Sequence, residues 1–188
     1  MFKIRIYGDP VLRQKAKDVT AFDGGLRSLA AEMVATMRGA EGLGLSANQV
    51  GKLVNMFVLD WQALGKPGDW QAFVNPRILA GEGERMVDEG CLSFPGIRDE
   101  VKRFQRVRLG AQDLEGKPFE LEGEGLLAQA FQHETDHLAG VLFIDRMASV
   151  TRDLHKGELR ELARSGGEGK DGKEKRDRGS EDRGGPGL

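Results

Sequence analysis

The chain is short of several features that would assign it to a special class. It has one cysteine, Cys91, in 188 residues, so no intrachain disulfide can form. That removes the usual support for an oxidising compartment. No apolar run approaches the roughly 20 residues needed to cross a bilayer. The opening Met1-Phe2-Lys3-Ile4-Arg5-Ile6-Tyr7 lacks the apolar core of a signal peptide. Neither charge sign dominates: 28 basic and 30 acidic residues leave a formal net charge of -2. No global field therefore favours nucleic acid or a membrane surface. The default is a cytoplasmic protein with no membrane partner and no specific nucleic-acid partner. Histidine is also scarce, at three residues, so the positions of those three carry weight.

The length suits one domain with a tail. Residues 165–188 are rich in glycine and carry six basic and six acidic residues, with no aromatic and only Leu188 among the large aliphatics. Such a stretch cannot bury enough apolar surface to offset its ordering entropy, so a disordered tail is expected there. The folded part is expected over 1–164. Leu26, Leu29, Ala30, Met33, Val34 and Met37 recur at helical spacing after Asp23, a suitable N-cap. A β-rich middle follows. Asn55 to Leu59 is strand-like, and Ala72-Phe73-Val74 runs into Asn75-Pro76, where proline argues for an edge or a strand end. Val101 to Leu109 alternates with Lys102, Arg106 and Arg108. Gly116 and Pro118 mark a hairpin turn between two more short strands. An apolar helix then starts after Gly125 and stops at Gly140, and an amphipathic helix at about 151–163 closes the domain. Strands in a run followed by helices predict an α+β fold, with antiparallel strands packed around a central helix and helices at both ends.

That central helix carries Gln132-His133-Glu134-Thr135-Asp136-His137. Residues four apart share a helix face, so both imidazoles can reach one metal ion. Glu134 sits beside the ion without being needed as a ligand, and its carboxylate can take a proton from a water that the ion activates. The alternative is two solvated histidines beside a surface glutamate.

Catalytic metal sites usually have three protein ligands, so a third must be found. Continuing the helix pattern to a third histidine fails at Phe143. Glu158 and Glu161 are available on the last helix, where they read more readily as solvated-face residues. Cys91 is the remaining option, in Glu89-Gly90-Cys91-Leu92-Ser93-Phe94-Pro95, although a lone cysteine is more often a small buried apolar residue. A rival reading, a structural site closed by His155 as a fourth ligand, is the less favoured because it leaves Glu134 and Gln49 without a purpose beside the ion. A further segment, Gly42-Leu43-Gly44-Leu45-Ser46-Ala47-Asn48-Gln49, has small residues that admit another backbone and ends in an amide donor.

Those last two segments and Gln132-His133-Glu134-Thr135-Asp136-His137-Leu138-Ala139-Gly140-Val141-Leu142-Phe143, in chain order, resemble the three signature motifs of peptide deformylases. Tyr7-Gly8-Asp9-Pro10-Val11-Leu12-Arg13 is similar to the start of that family. The resemblance covers about residues 3 to 164, with Ser46 where the first motif usually has alanine. It implies metal ligation by Cys91, His133 and His137, with Fe(II) first and Zn(II), Ni(II) or Co(II) as alternatives. It implies hydrolysis of the formyl group on the starting methionine of nascent peptides, with formate released. Glu134 would move the proton, while the Gln49 side chain and the Leu92 backbone N–H would donate to the formyl oxygen. Leu43, Gly44, Leu126, Gln129, Ala130 and His133 would bind substrate. Since such enzymes act on nascent chains, the basic stripe Arg152, Lys156, Arg160 and Arg164 could offer a transient ribosome contact. A solvated face balanced by Asp153, Glu158 and Glu161 is the reading preferred from the residues.

Overall fold

A computed structural model describes residues 1–167; the tail expected from 165 onward lies outside the described residues from 168. Five strands form one antiparallel sheet in chain order: β1 (Gly44–Ser46), β2 (Met56–Asp60), β3 (Trp70–Gly90), β4 (Arg98–Gln112) and β5 (Pro118–Glu124). The helices are α1 (Gly24–Gly39), α2 (Leu126–Leu138), α3 (Ser149–Leu154) and α4 (Lys156–Gly167), with short 3-10 turns at Pro10–Arg13, Ala47–Val50 and Phe143–Asp145. The fold is α+β. Among the described residues, no helix is long and apolar enough to cross a membrane.

The sheet is covered on both faces at β2, which explains why that strand reads as continuously apolar. Successive side chains point to opposite faces. Phe57 and Leu59 pack with Phe73, Val107, Leu109 and the Leu127, Ala128 and Phe131 face of α2. Met56 and Val58 pack with Val74 and the Met33 and Met37 face of α1. Full burial of each large side chain contributes about 1.5–3 kcal/mol. Asp23 caps α1 as expected, its Oδ1 accepting from Leu26 N–H at 3.1 Å. A third cluster, with Leu12, Phe94, Ile97, Phe143 and Leu159, ties the N-terminal segment and α4 to the loop after β3.

Three expectations need correction. Pro76 does not end a strand: β3 runs through it, with a register shift between Val74 and Arg77. Proline is tolerated at such a bulge because its missing N–H falls where the ladder is interrupted. Asn75 takes a left-handed φ of 50° there, and its side chain bonds Val19 N–H, Val19 C=O and Gln112. The strand before the Gly116 turn is not a separate short one. It is the far end of β4, because the inward alternation of Val107 and Leu109 continues to Ala111. The closing helix is two helices broken at His155, and the second runs to Gly167, past the expected limit at 163.

Candidate metal centre

Helix α2 sets the first two groups of the site. His133 and His137 lie one turn apart, with Nε2 atoms 3.2 Å from each other. The helix must stop just beyond them, and Gly140 ends it in a left-handed conformation, φ 76°. Its N–H and that of Val141 bond the carbonyls of His137 and Asp136. A Cβ at Gly140 would also come within 2.6 Å of the Arg13 carbonyl. The third group arrives from the sheet. Strand β3 ends at Gly90, and Cys91 follows at the start of a tight loop in which Phe94 N–H bonds the Cys91 carbonyl. Phe94, packed against the Tyr7 and Phe143 rings, anchors that loop. Cys91 Sγ stands 3.1 Å from His137 Nε2, and the three candidate ligand atoms all lie within 4.8 Å of one another.

These residues fit a divalent cation. Metal–nitrogen bonds near 2.1 Å and metal–sulfur bonds near 2.3 Å at tetrahedral angles put neighbouring ligand atoms about 3.3–3.6 Å apart, close to the 3.1 and 3.2 Å from His137 Nε2 to the sulfur and to His133 Nε2. The tautomer is also right. His133 Nδ1 lies 2.6 Å from Glu89 Oε1; a carboxylate only accepts, so Nδ1 carries the proton and Nε2 keeps its lone pair. Burial pushes the His133 pKa down, but the Cys91 sulfur and the Glu89 carboxylate outweigh burial and raise it well above its ordinary value. Positive charge is therefore favoured at this spot, and a cation can supply it in place of a proton. Burial, and then positive charge at the neighbouring His133 position, hold His137 well below its ordinary value.

Behind His133 lies a buried charged scaffold. Arg103 and Glu89 have side chains only 3% exposed and pair through two hydrogen bonds, of 3.0 and 2.7 Å. Arg103 also reaches Asp136 on α2 at 2.6 Å. Burial raises the Glu89 pKa, yet the His133 and Arg103 hydrogen bonds overcome it and hold the carboxyl at about 2. The sequence reading missed Arg103 and Asp136. Arg103 was legible in principle, because it shares parity with the inward-facing Val101 and Val107 and not with Lys102, Arg106 and Arg108.

Glu134 is buried against β1, where a Cβ on Gly44 would lie 2.7 Å from its Oε1. Burial raises its pKa to about 7, with Glu89 adding to the rise while His133 and the Ser46 hydroxyl act against it. Its Oε2 is buried without a protein partner. Gln49, in the 3-10 turn after β1, aims its Nε2 at Ser93 Oγ (3.2 Å) and Cys91 Sγ (3.5 Å).

A cavity of about 460 Å³ opens over this cluster. Leu43, Gly44, Gln49, Cys91, Leu92, Gln129, Ala130, His133 and Glu134 all line it. Leu126 does not; it is 46% exposed on the first turn of α2. Gln129 is held at the wall by bonds from Nε2 to the Asp88 carbonyl and Glu89 Oε2. Loop residues Pro95, Gly96 and Ile97, with Arg98 at the start of β4, also line the cavity; loop lining of this kind leaves no periodic trace in a sequence. The rival ligands lie elsewhere. His155 bonds Asp99 and Glu158, which ties the rivals His155 and Glu158 to each other and to the start of β4.

Comparison with known proteins agrees on one family. The family model described as polypeptide deformylase matches residues 1–153. The chain is 44% identical over 160 residues to the peptide deformylase of Acidobacterium capsulatum, covering 85% of this chain and 94% of that one. It is 44% identical over 166 residues to that of Thermotoga maritima, covering 88% and 98%. Among solved structures, the peptide deformylase of Thermus thermophilus superposes with a TM-score of 0.82 at 40% identity, covering 88% of this chain and 99% of that one. Arabidopsis thaliana peptide deformylase 1B in complex with an inhibitor gives 0.84 at 41% identity, covering 90% and 94%.

Proposed function

Since this chain belongs to the polypeptide deformylase family, it performs metal-dependent removal of the N-formyl group from the N-terminal methionine of newly made proteins, and we propose that the cluster under the cavity carries the reaction. The observation supporting this most is convergence: three ligand-type atoms from α2 and the loop after β3, a buried glutamate and an amide donor all meet at one cavity.

Cys91, His133 and His137 would hold the ion. When bound, a divalent cation supplies the Lewis acidity that makes water nucleophilic near neutral pH. The water oxygen adds to the formyl carbon while Glu134 accepts its proton. As that carbon becomes tetrahedral, the former carbonyl oxygen gains charge. The Gln49 side-chain N–H and the Leu92 backbone N–H donate to it, each such donor being worth roughly a hundredfold in rate. Glu134 then delivers its proton to the nitrogen as the C–N bond breaks, leaving formate and a free amino terminus. A pKa of about 7 suits a group that must both take and give a proton near neutral pH.

The cavity wall sets selection. Leu43, Ala130 and the His133 ring offer an apolar surface to the methionine side chain, with Gln129 at the wall and Leu126 at the outer rim of α2. The substrate backbone adds as a further strand on β1, beside Gly44, because β1 is an edge of the sheet. A thiolate with two imidazoles accepts Fe(II), Zn(II), Ni(II) and Co(II) alike; the family resemblance alone puts Fe(II) first as the native ion, with the other three as substitutes. The work belongs in the cytoplasm, where formylated chains emerge. The break at His155 splits the basic stripe, leaving Arg152 on α3 and Lys156, Arg160 and Arg164 on α4, so a solvated face balanced by Asp153, Glu158 and Glu161 is the reading we keep, with a transient ribosome contact as the alternative.

The test is formate release from a formyl-Met peptide by anaerobically prepared protein, with metal analysis of the same sample. Formate release proportional to bound metal, with no cleavage of the unformylated peptide, is expected. Metal-loaded protein that releases no formate, or that cuts internal bonds, would overturn the reading.

A further inference from the structure

Ser46 is fully buried, and its hydroxyl, which also acts on Glu134, touches two other polar side chains of the same turn. Oγ lies 2.9 Å from Gln49 Oε1 and 3.0 Å from Asn48 Oδ1. The Ser46 backbone N–H meets the same Gln49 oxygen at 2.9 Å. A backbone N–H can only donate, so the Gln49 atom facing it must be the oxygen, and the amide nitrogen must point the other way. That nitrogen faces Cys91 and Ser93, the side of the ligand cluster. Asn48 is oriented by the same logic. Its Nδ2 donates to the His137 carbonyl, which leaves Oδ1 turned toward Ser46.

The hydroxyl is thus a node between the turn that presents Gln49 and the backbone of the helix that presents His137. The Ser46 N–H alone fixes which end of the Gln49 amide faces inward. The hydroxyl carries one proton for two acceptors, Gln49 Oε1 at 2.9 Å and Asn48 Oδ1 at 3.0 Å; given to Oε1, it acts from a different angle than the backbone N–H and restricts rotation about the last side-chain bond. A preorganised donor is worth more than a mobile one because no reorganisation is needed as charge develops.

Resting on the reading of Gln49 as a donor to the formyl oxygen, we propose that Ser46 is a positioning residue for deformylation, its hydroxyl holding the Gln49 amide at the angle from which Nε2 reaches that oxygen. Ser46→Ala removes one atom and adds no bulk. It should lower kcat about three- to tenfold, the range for one net hydrogen bond, with KM and metal content per chain unchanged. In a Gln49→Ala background the same change should cost nothing further, since the group it positions is gone. An unchanged kcat in Ser46→Ala, or an equal loss in both backgrounds, would overturn the proposal. A second readout does not depend on turnover. In Zn(II)-loaded protein, the Gln49 side-chain amide protons should give sharp, distinct NMR signals that broaden or shift in Ser46→Ala. Identical signals in the two proteins would overturn the proposal as well. Should the parent protein release no formate, the functional reading fails, while the NMR comparison still decides whether the hydroxyl holds the amide.

Discussion

Two histidines in this chain have similar surroundings on paper and different chemistry. His133 on α2 puts Nδ1 2.6 Å from Glu89, and His155, between α3 and α4, puts Nδ1 2.9 Å from Glu158. The difference lies at the other nitrogen. His155 Nε2 faces a second carboxylate, Asp99, at 2.8 Å. His133 Nε2 faces the Nε2 of His137 at 3.2 Å, an atom that also has a lone pair to give. Two carboxylates need two donors, so the surroundings of His155 favour the imidazolium. The Glu158 and then the Asp99 hydrogen bonds raise its pKa. One carboxylate and a ring of lone pairs need a neutral imidazole and a cation. The glutamates differ too: Glu89 is locked by Arg103 with 3% of its side chain exposed, whereas Glu158 is 64% exposed. A second partner and its burial, not the His–Glu pair itself, separate a proposed ligand from a surface tether.

The largest break in that comparison should come from Glu134, which has no counterpart beside His155. Glu134→Gln is expected to retain its metal and lose about 10²- to 10⁴-fold in kcat, the usual worth of a positioned acid–base group. Steady-state kinetics with metal analysis checks this, and near-normal turnover would remove Glu134 from its role. Next is the scaffold. Arg103→Met strips two carboxylates of a buried partner and should cost about 3–5 kcal/mol of stability, read from denaturant midpoints. Arg106→Ala removes the exposed pair with Glu124 on the neighbouring strand and should cost no more than about 1 kcal/mol. Similar costs for the two would mean that burial is not what distinguishes these pairs. Third, Glu89→Gln weakens the orienting bond to His133 and should lower metal affinity about 10- to 100-fold, measured by chelator competition. Glu158→Gln should leave metal affinity unchanged. The smallest effect is the pH response of His155. Its folded pKa is raised, so its contribution to stability is complete below the unfolded value of about 6.5 and fades as pH rises through the higher folded value. Thermal melts should show wild type and His155→Gln drawing together at alkaline pH; a constant gap across that window would mean that the tether does not titrate.

Much of this arrangement was legible in the chain. The HExxH spacing, the cap at Asp23, the stop at Gly140 and the apolar run of β2 all follow from local rules, and each stands in the fold where those rules put it. Less legible were residues whose meaning depends on distant partners. Arg103 looks like one more basic residue on a charged strand until the sheet turns it inward onto Glu89. Gln129 looks too polar for a pocket wall, and the Asp88 carbonyl that satisfies it lies on β3. Pro76 reads as a strand end because nothing local announces the bulge. Leu126 shares a helix face with Ala130, yet its place on the first turn leaves it outside the cavity.

Local spacing in the chain was enough to pair the two imidazoles, while Cys91 was singled out from the candidates for the third ligand only by the family resemblance. A helix repeats every 3.6 residues, so two histidines four apart share a face wherever that helix is placed. It took the folded chain to bring the sulfur, 46 residues before His137, to 3.1 Å from its Nε2. That distance depends on where β3 ends, on the β3–β4 register that closes the loop, and on α2 packing against the same sheet. Each is a long-range agreement between surfaces, and no local spacing can encode it.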